Sequence, residues 1–168
     1  MIPEHHSQLE SAVKNRKIYQ KFVKDLKKKP PRDLDEIIHA MHDEAFQNID
    51  CLQCGNCCRA LGPRLSDRDI TALAKHLRIS PGNFTAQHLC LDDDRDYVFT
   101  KMPCLFLDAD NYCQVYKNRP KACGEYPHML EARMHQFLNL ALKNAEMCPA
   151  VAYVLEKLLQ KFDYNPKL

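Results

Sequence analysis

The residues with most chemistry in them are cysteines: nine among 168 residues, four of them in the run Cys51-x-x-Cys54-x-x-Cys57-Cys58. Two intervening residues let a tight turn aim both sulfurs at one point, which is why Cys-x-x-Cys recurs in zinc knuckles and iron–sulfur loops. Cys51, Cys54 and Cys57 offer three donors from one loop, and Gly55 and Asn56 are the turn-tolerant residues such a loop needs. Cys58 follows directly; adjacent side chains diverge, so it serves a second site or helps to bridge two. The others come singly: Cys104 after Pro103, Cys113, Cys123 beyond Arg119-Pro120, and Cys148 before Pro149. These complete a set of eight candidate ligands, twice the four thiolates of a closed zinc site or a cubane cluster. The ferredoxin-like spacing, with a distant Cys-Pro at a helix start, assigns Cys51, Cys54, Cys57 and Cys148 to one centre. Cys58, Cys104, Cys113 and Cys123 then form the other. Zinc and iron–sulfur are both open at this point, as are one centre and two. Cys90 stands apart and reads as a small buried hydrophobe.

Several elements must position these donors. From Ser7 to about Lys28, Leu9, Val13, Ile18, Phe22, Val23 and Leu26 share one helical face, and Pro30-Pro31 ends the helix. Asp33 is placed to cap a second helix carrying Leu34, Ile37, Ile38, Met41, Ala45 and Phe46. Ser66-x-x-Asp69 opens a third, and Ser80-Pro81 a short fourth that runs to about Leu89. Tyr97 to Thr100 is rich in strand formers, and Leu105–Leu107 with Tyr112–Tyr116 flanks a turn-rich Asp108-Ala-Asp-Asn, which predicts a small hairpin there. Helical spacing returns from Leu130 to Ala141, and Pro149 starts a last helix through Leu159. The expected fold is α+β but mainly helical: a small cysteine-rich, metal-centred core with a short β-hairpin, surrounded by helices. Residues 1–48 read as an N-terminal helical arm or hairpin that could dock a protein partner. Residues 49–168 read as the metal-binding domain, although length alone favours one compact unit overall.

Composition narrows the class. Hydrophobic residues at 45% and charged residues at 27% describe an ordinary globular chain. The N-terminus lacks the apolar segment of a signal peptide, and no run of about 18 apolar residues occurs, so a cytoplasmic protein without membrane contact is expected. A reducing compartment keeps thiols available for metal. The formal charge of +2 counts thiols as neutral; eight thiolates take it to −6, and two divalent cations return it to −2. Net basicity therefore gives no ground to expect a nucleic-acid partner. Glu36-x-x-His39 is half of a di-iron bundle signature without its second copy and reads as an exposed helix face. His5 and His6 read as part of a mobile terminus. Asp92–Asp96 lacks the glycine and closing glutamate of a calcium loop, and Lys24, Lys27, Lys28, Lys29 and Arg32 read as a charge run at a helix end.

The ordered motifs Cys51-Leu-Gln-Cys-Gly-Asn-Cys-Cys58, Pro103-Cys104-Leu-Phe-Leu107, Cys113-Gln-Val-Tyr116, Arg119-Pro120-Lys-Ala-Cys123, Tyr126-Pro127 and Cys148-Pro149 resemble the YkgJ-like cysteine-cluster family, over about residues 50 to 155. The resemblance implies a zinc- or iron-chelating domain. It departs at Gly124, where the family commonly has arginine; any charge balance that residue gives falls here to Arg119, Lys121 or another base. A relative within the wider group, the flagellin lysine methylase, makes a redox or methyl-transfer enzyme the alternative. The chain itself shows no nucleophile–base pair, no glycine-rich cofactor loop and no Cys-x-x-x-Cys-x-x-Cys radical spacing. The function expected is that of a cysteine-ligated metal-binding protein.

Overall fold

A computed structural model describes residues 3–164. The described residues are mainly helical, with ten α-helices and one two-stranded antiparallel sheet, so the chain is α+β with helix dominant. They divide into two compact units, one formed by residues up to Cys54 together with those from Pro127 onward, the other by Gly55–Tyr126.

The first unit holds α1 (Pro3–Lys14), α2 (Arg16–Lys28), α3 (Leu34–Asn48) and the single turn α4 (Cys51–Cys54), then α9 (Leu138–Asn144) and α10 (Pro149–Lys161) from the far end of the chain. α10 packs on α3 and α1, while α2 packs on α9. Its core is built of Phe22, Val23, Ile38, Met134, Leu138, Val151, Leu155 and Leu158, all but fully buried. The expected single N-terminal helix is broken at Asn15, whose side chain bonds to Ser11 Oγ at 3.3 Å. Backbone bonds carry through the break, Asn15 N–H to Ser11 O and Tyr19 N–H to Asn15 O, and the apolar stripe on either side conceals it. Asp33 makes no side-chain cap. The first-turn carboxylate that works is Asp35, which accepts from the Arg133 and Met134 N–H groups at 2.6 and 2.7 Å and so tethers the turn Met134–Gln136 to α3. His5 is also corrected: it lies within α1 and is buried, at 3% exposure, rather than in a mobile end.

The second unit contains α5 (Asn56–Ala60), α6 (Asp67–Leu77), α7 (Pro81–His88), β1 (Leu89–Leu91), β2 (Tyr97–Phe99) and α8 (Lys121–Glu125). Leu73, Ala74, Phe84, Phe99, Phe106 and Val115 fill its core. Ser80 caps α7 with Pro81 in the first position, as expected. The hairpin is not where the strand formers at 105–107 and 112–116 put it. Leu89–Leu91 pairs with Tyr97–Phe99 instead, and the other segment keeps a single bridge, Leu107 to Cys113. Turns at both ends explain the difference: Leu107 N–H returns to Cys104 O and Tyr116 N–H to Cys113 O, which leaves no length for a ladder. The acidic run 92–96 closes the real hairpin, with Asp92 Oδ1 accepting from the N–H groups of Asp94 and Asp96. Cys90 is likewise corrected. It is exposed, because only Leu89 of β1 turns into the core.

Ser66 and Asp69 form a complete capping box on α6. Asp69 does more, since its Oδ1 also accepts from the Lys121 N–H at 3.1 Å, the first orphan donor of α8, whose N-cap residue is a proline without a capping side chain. Partial burial pushes the Asp69 carboxyl up, but bonds from Ser66 and Lys121 outweigh it and hold the group below the usual carboxylate range. Its stabilisation is therefore present above the unfolded carboxylate pKa and lost as pH falls through the lower folded value. Asp69→Asn is expected to lower unfolding stability by about 1–2 kcal/mol at neutral pH. In denaturant titrations the gap from wild type should narrow below about pH 4.

Candidate metal centre

The cysteine run is shaped by two short helical turns and the glycine between them. Asp50 starts α4: its Oδ1 accepts from Leu52 N–H at 2.8 Å, and its carbonyl accepts from Gln53 and Cys54. Gly55 then takes a left-handed φ of +58°. A Cβ there would stand 2.9 Å from an Arg59 guanidinium nitrogen and 3.2 Å from Asn111 Cβ, so conformation favours glycine and a side chain would crowd these neighbours. α5 carries Cys57 and Cys58 with their Sγ atoms 4.0 Å apart. Arg59, next in sequence, donates to Asn111 Oδ1 in the turn that precedes Cys113.

In the second unit, backbone bonds bring separated cysteines to the run. Cys104 N–H donates to Cys58 O at 2.9 Å, following the cis Met102–Pro103 bond. Cys123 sits in α8, the turn held by Asp69. Cys58, Cys104, Cys113 and Cys123 all lie within electrostatic reach of one another: charge on Cys58 raises the pKa of the other three, and Cys123 also feels Cys104 and Cys113. In the first unit, Cys148 feels Cys51 and Cys54. Cys57 belongs to the second unit, beside Cys58. Among the described residues, no three His, Cys, Asp or Glu side chains are placed so that they could hold a metal ion.

The protonation balance has a consistent cause. Burial pushes the Cys104 and Cys113 thiols up, opposed by sulfur-directed bonds from the Phe106 and Val115 N–H groups, each two residues on. Burial, then the neighbouring thiols, pushes Cys123 up to about 12. Burial takes Cys148 to about 12 as well, against N–H bonds from Val151 and Ala150 at the start of α10. Cys58 goes the other way, brought down to about 7 by its bond with Cys57, against the cost of burial and with help from Arg59. Arg119 opposes the rise at Cys113 and Cys123; its guanidinium lies 4.2 Å over the Tyr116 ring and donates to Tyr116 O. Grouped soft sulfurs, N–H donors aimed at them and flanking arginines suit a thiolate-bound cation.

The remaining candidates do not join these groups. His39 bonds to Glu131 O at 3.2 Å, Glu36 is exposed, and His6 pairs with Glu10. Sequence reasoning passed over Arg59, Asn111 and the reach of Asp69 to α8. Only Arg59 carried a signal, its position directly after the double cysteine.

A family model described as "CxxCxxCC: Putative zinc- or iron-chelating domain" matches residues 50–149. The chain belongs to that family. No curated protein and no solved structure matches it. Gly55→Ala is expected to cost about 1–2 kcal/mol from the left-handed backbone alone, read as a lower denaturation midpoint, with bound metal reduced in the same preparation.

Proposed function

We propose that this protein is a metal-binding module in which Cys51, Cys54, Cys57, Cys58, Cys104, Cys113, Cys123 and Cys148 are the ligands, and that Cys58, Cys104, Cys113 and Cys123 form a four-thiolate centre within Gly55–Tyr126. The observation that carries this reading is the family match over residues 50–149, supported by the backbone bond from Cys104 N–H to Cys58 O, which brings two of these four cysteines from separate stretches of chain together. A cation bound to these half-buried thiols would offset the cost of their burial by deprotonating them. Cys51, Cys54 and Cys148 make a second set. Zinc or an iron–sulfur core satisfies the donors; the former would brace the fold and the latter would add one-electron chemistry. Nine free thiols suit a reducing compartment, and the cytoplasm is our proposed location. No helix among the described residues is long and apolar enough to cross a membrane.

Anaerobic purification, with metal and sulfide analysis and a visible spectrum, tests the reading. Stoichiometric zinc without colour or sulfide identifies zinc; iron with equimolar sulfide and visible absorption identifies a cluster. Cys58→Ser and Cys123→Ser should each lose metal and lower the unfolding midpoint, whereas Cys90→Ser should retain both. Metal-free wild type with undiminished stability, or metal loss in Cys90→Ser equal to that in Cys58→Ser, would overturn the proposal.

A further inference from the structure

Nine lysines and arginines against the single acid Asp25 lie between Lys14 and Arg32, in a chain whose formal charge is only +2, so the rest of the molecule is acidic. Net charge conceals this segment. Burial along α2 sorts it by face: Tyr19, Phe22, Val23 and Leu26 are buried, while Lys17, Lys21, Lys24 and Lys28 are exposed. Those four recur at intervals of four, three and four residues, one straight row spanning about 16 Å of helix.

Helix stability does not account for the row. Lys27 and Lys28 in the last turn suit the dipole, but Arg16 and Lys17 occupy the first turn, which has no acidic residue, and positive charge there is unfavourable. Neutralisation is partial: Arg16 pairs with Glu146, Lys28 pairs with Asp25, which also feels Lys21, and Lys17 and Lys24 have no ion-pair partner among the described residues. The helix is held firmly from beneath. Tyr19 Oη donates to Glu156 and Tyr164 Oη to Asp25, both at 2.9 Å, and Phe22 stacks edge-on with Tyr164 at 4.9 Å. The lysines therefore stand on a pre-set scaffold.

We propose that the outer face of α2 binds the phosphate backbone of nucleic acid without regard to sequence. A row of about 16 Å spans about five phosphates of one duplex strand, at about 3.4 Å of axis per strand charge. Lysine point charges bind phosphates but do not specify bases, and the aromatic residues of α2 are buried, which leaves no stacking platform for single strands. A protein partner fits less well, since lysine is depleted in protein interfaces and this row has no exposed aromatic anchor. A membrane surface fits less well too, because the apolar face of α2 is used in the protein's own core. Binding at this face is independent of which metal the cysteines hold.

The test is fluorescence anisotropy of the full chain with a labelled duplex of about 20 base pairs and mixed sequence, from about 50 to 200 mM salt, the range over which phosphate binding weakens strongly. Wild type should bind and lose affinity steeply with salt. Lys17→Gln/Lys21→Gln/Lys24→Gln should weaken binding at least about tenfold at low salt and flatten the logarithmic salt slope by about three, at about 0.9 for each phosphate no longer neutralised. Lys75→Gln/Lys101→Gln/Lys143→Gln, exposed lysines elsewhere, should leave both unchanged. A thermal melt of the row variant at or above the wild-type midpoint separates weakened binding from a damaged fold. No duplex binding at low salt, equal binding by the row variant, or row-dependent binding only to phosphatidylserine vesicles or to an acidic polyglutamate peptide would overturn the proposal.

Discussion

Thiols brought together and taken out of water oppose their own ionisation, and much of this structure concerns where that opposition is borne. Cys123 and Cys148, each pushed up to about 12, are the extremes, and Cys58 at about 7 is the counter-example. The protein gathers its sulfurs by backbone bonds that do not depend on charge: Cys104 N–H to Cys58 O, and the α8 turn held by Asp69. N–H groups two residues beyond Cys104 and Cys113 then point at the sulfurs. On the reading proposed above, such donors would orient the sulfurs and tune their basicity.

Arginines bear on the electrostatics of the sulfurs in Gly55–Tyr126. Arg59 and Arg119 lie close enough to favour thiolate at Cys58, Cys113 and Cys123, whereas Cys148 has only the peptide dipoles at the start of α10 to oppose burial. The same contrast between local and net charge governs α2, where the basic row coexists with a nearly neutral whole.

How much could be read from the chain depended on whether the signal was local. The capping box at Ser66, the Ser80-Pro81 start, the Pro149 start and the left-handed Gly55 rest on neighbours in sequence, and each stands in the structure. The misplaced hairpin shows the opposite case. Residues 105–107 and 112–116 have strand-forming side chains, but turns at Cys104 and Cys113 take their backbone groups, while Leu89–Leu91, read as the end of a helix, finds a partner in β2. Burial of His5 and exposure of Cys90 follow from packing, which composition does not encode residue by residue. Asp69 is the clearest omission: its role in α6 was legible, but its bond to Lys121, 52 residues away, was not.

The first unit is discontinuous, built from both ends of the described chain, and the second is one uninterrupted stretch. Cys57, Cys58, Cys104, Cys113 and Cys123 therefore leave the ribosome as one uninterrupted segment ahead of Cys148. At about 5–20 residues per second, the 24 residues between Cys123 and Cys148 take a few seconds to appear. On the reading proposed above, the thiols of Gly55–Tyr126 are all in place before Cys148 is, so that set would be open to a cation first.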